Sequence, residues 1–242
     1  MTFYTNPTMP LTLEICAASL PSALAAQAGG AHRIELCQNL EQGGITPSYG
    51  LIQETLAQLS IPVFVLIRVR PGGFVYSADE LAIMRADVKV CRELGAAGVV
   101  LGALDAAGRV DLGACKSLME RAGTLPVTFH RAFDACLNQA EALEEIIKMG
   151  CQRVLTSGGQ ANAEAGQAQL AALVTQAAGR ISIMPGAGVS AANIRELARR
   201  TGAHEFHTSA KRRVPAHPAD GLFQTEQFET DAALVAELVG LL

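Results

Sequence analysis

Short apolar strands alternate with helical stretches along the whole chain, and the alternation is doubled. A glycine followed by a small residue stands before every second strand, at Gly30-Ala31, Gly95-Ala96, Gly150-Cys151 and Gly202-Ala203. The intervening strands echo one another too, since Ile61-Pro-Val-Phe-Val-Leu-Ile-Arg68 is similar to Leu125-Pro-Val-Thr-Phe-His-Arg131. A (βα)2 unit repeated four times implies eight parallel strands, each followed by a helix, and closure into a barrel is the favoured form of that count. An open doubly wound sheet is the structural alternative, but the repeat offers no point at which strand order would reverse. The length of 242 residues suits one such barrel. The expectation is therefore α/β, a single (β/α)8 TIM barrel spanning 1–242.

Periodicity and turn residues place the strands at 11–16, 33–37, 62–68, 98–102, 126–131, 153–156, 181–184 and 205–208. Helices are expected over 19–29, 48–59, 77–95, 111–122, 138–149, 163–178, 190–200 and 231–241, many of them opened by Ser, Asp or Asn. The stretch containing Pro215 and Pro218 reads as irregular.

Composition narrows the function. A net charge of −4, with basic residues clustered only at Lys211-Arg212-Arg213, argues against a nucleic-acid partner. Residues 1–10 hold neither a charged nor an apolar leader region, and no apolar run nears the roughly 20 residues that cross a bilayer. A soluble cytoplasmic protein with no membrane partner is expected. The six irregularly spaced cysteines then read as free thiols or metal ligands rather than a disulfide framework.

Two strands end in Glu-x-Cys: Leu13-Glu-Ile-Cys16 and Arg33-Ile-Glu-Leu-Cys37. Alternation puts Glu14 on the face of Cys16, and Glu35 on the face of Cys37. A carboxylate is costly to bury among helices, so these faces should point into a polar barrel interior. Neighbouring strands lie about 4.8 Å apart, which lets Cys16 and Cys37 share one soft ion. Two thiolates without an obvious third sulfur suit Cu(I) better than tetrahedral Zn(II), and no organic cofactor motif is evident. The alternative is that both cysteines are small buried hydrophobes. Cys136, after the fifth strand, stays open as a third sulfur.

Together with Glu41-Gln-Gly-Gly-Ile-Thr-Pro-Ser48, Pro126-Val-Thr-Phe-His-Arg-Ala-Phe-Asp134, Val154-Leu-Thr-Ser-Gly158 and Glu205-Phe-His207, these motifs resemble the CutC family, named for copper homeostasis. The resemblance runs from about residue 11 to 212. It implies a TIM barrel, a cytosolic location and a homodimer, with Cys16 and Cys37 at the positions proposed to bind copper. One departure is Arg68-Val-Arg-Pro-Gly-Gly-Phe74, where the family tends towards Arg-Pro-Arg-Gly-Gly-Asp-Phe, so the loop after strand three is expected to differ in shape.

The barrel mouth also carries groups suited to catalysis. Glu14, Glu35, Arg68, His130 and His207 are expected to converge from five strands, with His130 or Glu35 as acid or base and Arg68 as an anion clamp. Singly, each has a structural reading: Arg68 neutralises Glu14 or Glu35, and the histidines are satisfied interior groups. Loops after strands seven and eight often bind phosphate, which makes Gly186, Gly188 and Ser209 anion candidates, with Thr156, Ser157 and Gly158 as further donors. The partner is thus a copper ion or, in the enzyme alternative, a small anionic or phosphorylated metabolite. Cys91, Cys115 and Cys151 read as packing residues, and His32, His204 and His217 fall outside the mouth.

Overall fold

The structure, a computed structural model, describes residues 11–215 and 227–242, so His217 and Pro218 lie outside the described residues. Eight parallel strands form the barrel: β1 (Thr12–Ala17), β2 (Arg33–Leu36), β3 (Val63–Leu66), β4 (Gly98–Leu101), β5 (Val127–Phe129), β6 (Arg153–Thr156), β7 (Ser182–Pro185) and β8 (Glu205–Thr208). They join in the order β7-β6-β5-β4-β3-β2-β1-β8, and the two end strands pack against each other to complete the ring. Around it run α1 (Leu20–Ala28), α2 (Tyr49–Gln58), α3 (Ala78–Glu93), α4 (Leu112–Ala122), α5 (Gln139–Met149), α6 (Gln167–Ala177), α7 (Ile194–Thr201) and α8 (Ala232–Leu241).

Side chains start most of these helices. Ser19, Ser48, Asp111, Asn138 and Asp231 each accept a first-turn N–H, and Ser77 forms a reciprocal box with Glu80. Two helices begin later than their periodicity suggests. Before α7, Asn193 accepts from the Ser190 N–H and donates to the Gly188 carbonyl, which holds a turn where a helix was expected. Before α6, Asn162 accepts from the Ala165 N–H in the same way. The expected irregular stretch after β8 includes a hairpin, β9 (Lys211–Val214) with β10 (Gln227–Thr230), paired antiparallel. No helix among the described residues is long and apolar enough to cross a membrane.

Strand alternation divides the interior in two. Leu13, Ile15, Ile34, Leu36, Val63 and Val65 belong to the large apolar layer under the helices, whereas Cys16, Cys37, Phe64, Leu66 and Val100 form a separate cluster inside the ring. That ring is tight enough to demand glycine where a large side chain crosses it. A Cβ at Gly98 would meet the Phe64 ring at 2.2 Å, and one at Gly102 would meet His130 at 2.8 Å. Gly50, in the first turn of α2, has open space around its missing Cβ.

Gly98→Ala should therefore destabilise the fold by about 1–3 kcal/mol through overpacking, while Gly50→Ala should stabilise it by about 0.4–1 kcal/mol through the unfolded chain; urea denaturation of the two variants would give midpoint shifts of opposite sign.

Candidate functional site

Much of what fills the barrel is charged. Arg33 on β2 is buried, and donates from Nε to Glu14 and from Nη2 to Glu205 Oε2 at 2.6 Å. Arg153 Nε reaches the same Glu205 oxygen at 2.7 Å. Both guanidiniums stack on the Phe64 ring, 5.2 and 5.0 Å from its centre. Two cations thus meet two carboxylates near the N-terminal ends of β6 and β8, which satisfies the requirement that buried charge be paired.

This arrangement sets the state of the next groups up the barrel. Burial by itself would push the Glu14 carboxyl up, but Arg33 and His207 overcome it and hold the group at about 2. An ionised Glu14 can only accept, so His207 Nδ1, 2.7 Å from Glu14 Oε1, carries the proton. His207 Nε2 is thereby turned towards Glu35 Oε2, 3.5 Å away. Burial raises the Glu35 pKa and the Glu14 charge adds to it, against the pull of His207. For His207, burial disfavours the cation, but Glu35 and Glu14 outweigh it and raise the pKa. The two groups are thus arranged to share a proton.

Next to them stand the cysteines. Cys16 Sγ lies 3.5 Å from Cys37 Sγ, and its thiol is pushed well above the ordinary range by that contact first, then by burial and by Glu35. The Cys16 sulfur, a Glu35 oxygen and a His207 nitrogen lie within 4.8 Å of one another. A His whose far nitrogen is held by a carboxylate is the usual way to aim an imidazole at a metal, and a thiolate–imidazole set favours soft ions.

Above this floor opens a cavity of about 860 Å3, lined among others by Glu35, Arg68, Phe74, His130, Gly188 and Ser209. Arg68 does not neutralise Glu14 or Glu35. Arg33 takes that part, and Arg68 instead donates to the carbonyls of Gln42 (3.2 Å), Gly44 (2.8 Å) and Gly72 (2.6 Å), tying two loops together. His130 Nδ1 accepts from the Ala132 N–H, so Nε2 carries the proton. Burial and Arg68 hold its pKa down at about 3, which makes it a neutral donor rather than a proton exchanger near neutral pH. Of the two residues expected as acid or base, Glu35 keeps a suitable setting.

Other expected site residues are spread over different surroundings. Glu14 sits below the cavity as the partner of His207 rather than on its wall. Thr156 Oγ1 and the N–H groups of Ser157 and Gly159 all donate to Asp134, while the Gly158 N–H goes to Thr156 Oγ1. An internal carboxylate already fills the nest where an external anion was expected. The Gly186 N–H is likewise used by the Thr156 carbonyl. Gly188 and Ser209 do line the cavity, beside Ala187 and Ala210, whose φ values of 69° and 42° mark strained backbone in the loops after β7 and β8. Cys136 packs under the helices, bonded to the Ala132 carbonyl at 3.7 Å, and supplies no third sulfur to the floor. Arg33, Arg153 and Glu205 were not anticipated. Arg33 shares the face of Glu35 and Cys37, and Glu205 that of His207, so the same alternation contained the signal.

The model of the CutC family matches residues 11–212. A protein named CutC from Xylella fastidiosa (strain Temecula1) is 54% identical over 235 residues, covering 95% of this chain and 88% of its own. One from Xanthomonas campestris pv. campestris (strain B100) is 53% identical, covering 95% and 98%. Among solved structures, CutC from Streptococcus agalactiae, a protein named for copper homeostasis, superposes with a TM-score of 0.79 at 35% identity, covering 82% of this chain and 98% of its own. Phosphoribosylanthranilate isomerase from Thermotoga maritima, at 13% identity and a TM-score of 0.58 over 96% and 97%, shares the fold.

The Glu14 carboxyl is held from 4.5 down to about 2. Its stabilising effect is complete above pH 4.5 and fades as pH falls towards 2, and amounts to about 3 kcal/mol at neutral pH. Glu14→Gln should lose at least that much at pH 7 and progressively less below pH 4.5 by urea denaturation, with the His207 midpoint falling in an NMR titration.

Proposed function

The chain belongs to the CutC family, and from that premise we propose that it binds Cu(I) through Cys16 and Cys37, with His207 Nε2 as a third donor. The contact of the two sulfurs at 3.5 Å, facing an open cavity, carries this reading. Thiolates with imidazole are a soft donor set, and Cu(I) accepts the low coordination number that two or three such donors offer. Glu14 then serves as the carboxylate behind the histidine, and Arg33 keeps Glu14 ionised. Entry of the ion must displace the protons of both thiols, and Glu35 is placed to receive the one from Cys16.

A second reading is favoured by two orphan donors. Among the described residues, Arg68 Nε and His130 Nε2 are buried without a hydrogen-bond partner, each costing about 1–3 kcal/mol. Phe74 lies against both residues, its ring centre 5.2 Å from the guanidinium and 5.0 Å from the imidazole, to which it is tilted by 47°. A small carboxylate or phosphate that displaced Phe74 would satisfy both donors, in a cavity of about 860 Å3 that exceeds what one ion requires. On this reading the protein is an enzyme or binder for a small anionic metabolite, with Glu35 and His207 as the proton-exchanging pair. A cytoplasmic homodimer fits either reading and stands as a proposal with them.

In anaerobic titration against a Cu(I) chelator, wild type should hold one ion and Cys16→Ser/Cys37→Ser should release it; equal competition by both proteins would sink the copper reading. For the second reading, calorimetry with malonate and with inorganic phosphate should show binding that His130→Leu abolishes, and an absence of heat with either probe would count against an anion site.

A further inference from the structure

The floor of the cavity holds a second donor set, and strand register assembles it. Cys16 stands opposite Glu35 in the β1–β2 pair and His207 opposite Glu14 in the β1–β8 pair, so three adjacent strands bring Cys16, Glu35 and His207 together. One sulfur, one carboxylate oxygen and one imidazole nitrogen of these residues lie within 4.8 Å of one another. Around a tetrahedral zinc ion, bonds of about 2.0–2.3 Å set an imidazole and a carboxylate about 3.4 Å apart and either of them about 3.6 Å from a thiolate. His207 Nε2 and Glu35 Oε2 already stand at 3.5 Å. The two pairs that involve sulfur need to close by at most about 1.2 Å, within the reach of side-chain rotation. Cys37 sits two positions past the partner of Cys16, and its sulfur does not belong to the mutual set.

We infer that Cys16, Glu35 and His207 form a zinc site with one open position facing the cavity. Charge favours a divalent ion there: with the Cys16 thiolate, the Glu35 carboxylate and a neutral His207 it sums to zero, above a Glu14–Arg33 pair that is balanced already. A monovalent ion on the same three donors would leave one buried negative charge uncompensated, which is expensive. Glu14 holds the far nitrogen of His207 at 2.7 Å, the carboxylate–histidine arrangement found behind zinc. Three protein donors are what catalytic zinc sites supply, the fourth position being left to water or substrate. All three residues line the cavity, as do Arg68 and His130, so an oxygen of a small anion bound there can take the open position. As the ion enters, the Cys16 proton and the one that His207 and Glu35 share depart to solvent, while His207 keeps the proton on Nδ1. Cys37 stays a thiol. The site shares Cys16 and His207 with the copper reading but does not rest on it, because it requires neither Cu(I) nor Cys37.

Cobalt(II) occupies zinc sites and reports their geometry by its colour, so it would be titrated anaerobically into the reduced full chain. The expected result is one bound ion with the intense visible bands of a four-coordinate site and a near-ultraviolet sulfur-to-cobalt band of single-thiolate strength, both erased by one equivalent of Zn(II). Cys37→Ala should keep that spectrum, Cys16→Ser should lose the sulfur band, and Glu35→Gln should weaken Co(II) binding by at least about 10-fold. Malonate should shift the visible bands of the wild type by taking the open position. Pale six-coordinate bands with no sulfur band in the wild type would overturn the inference whether or not any variant folds. Loss of half the sulfur band in Cys37→Ala would overturn it too, by making the site a two-thiolate one, and visible bands indifferent to malonate would remove the open position. The copper competition is read separately. Cu(I) held by a chain that gives no four-coordinate Co(II) spectrum refutes the zinc site alone, and the reverse result refutes the copper reading alone.

Discussion

Arg33 is the interaction on which the interior depends. It stands inside the barrel between Glu14 on β1 and Glu205 on β8, and it bridges strands that sit on either side of the point where the chain's two ends meet in the ring. Removing one partner from such a buried set costs about 3–5 kcal/mol, because the charge left behind has no solvent. An apolar replacement of the whole set could be as stable. It would lose the property the charges confer, a Glu14 carboxylate ionised at every ordinary pH.

From that carboxylate the rest of the floor follows. Glu14 fixes which nitrogen of His207 carries the proton, and so which nitrogen faces Glu35 and Cys16. The soft-donor cluster is therefore oriented from below by groups that do not line the cavity above it. The upper wall is organised differently. Arg68 spends its terminal nitrogens on three loop carbonyls, and Asp134 collects the donors of the β6 loop, so both charges shape the mouth. Among the described residues, one nitrogen each on Arg68 and His130 stays unsatisfied there, beside Phe74.

The eight strands, their parallel order and most helix starts were legible because each rests on local chemistry: strand period, a capping side chain, a glycine at a turn. The late starts of α6 and α7 were not, because Asn162 and Asn193 fold back on their own loops where the helical pattern continues through them. The β9–β10 hairpin was not legible, since its strands are separated in sequence and carry charged residues on an exposed edge. In the site, Glu14, Cys16, Glu35 and Cys37 were readable as inward-facing from alternation. The partner of Glu14 is Arg33 rather than Arg68, because which carboxylate an arginine meets depends on side chains from other strands.

By itself, then, the sequence determined the architecture and which residues face inward, since a period of two in a strand and a repeated βα unit are properties of neighbouring residues. Tertiary structure alone decided the pairings. Arg33 with Glu205, His207 with Glu14, and the two sulfurs in contact join positions 172, 193 and 21 residues apart. Such distances along the chain are closed only by the ring of strands, whose register sets which side chains share a level and so which charges, protons and thiols meet.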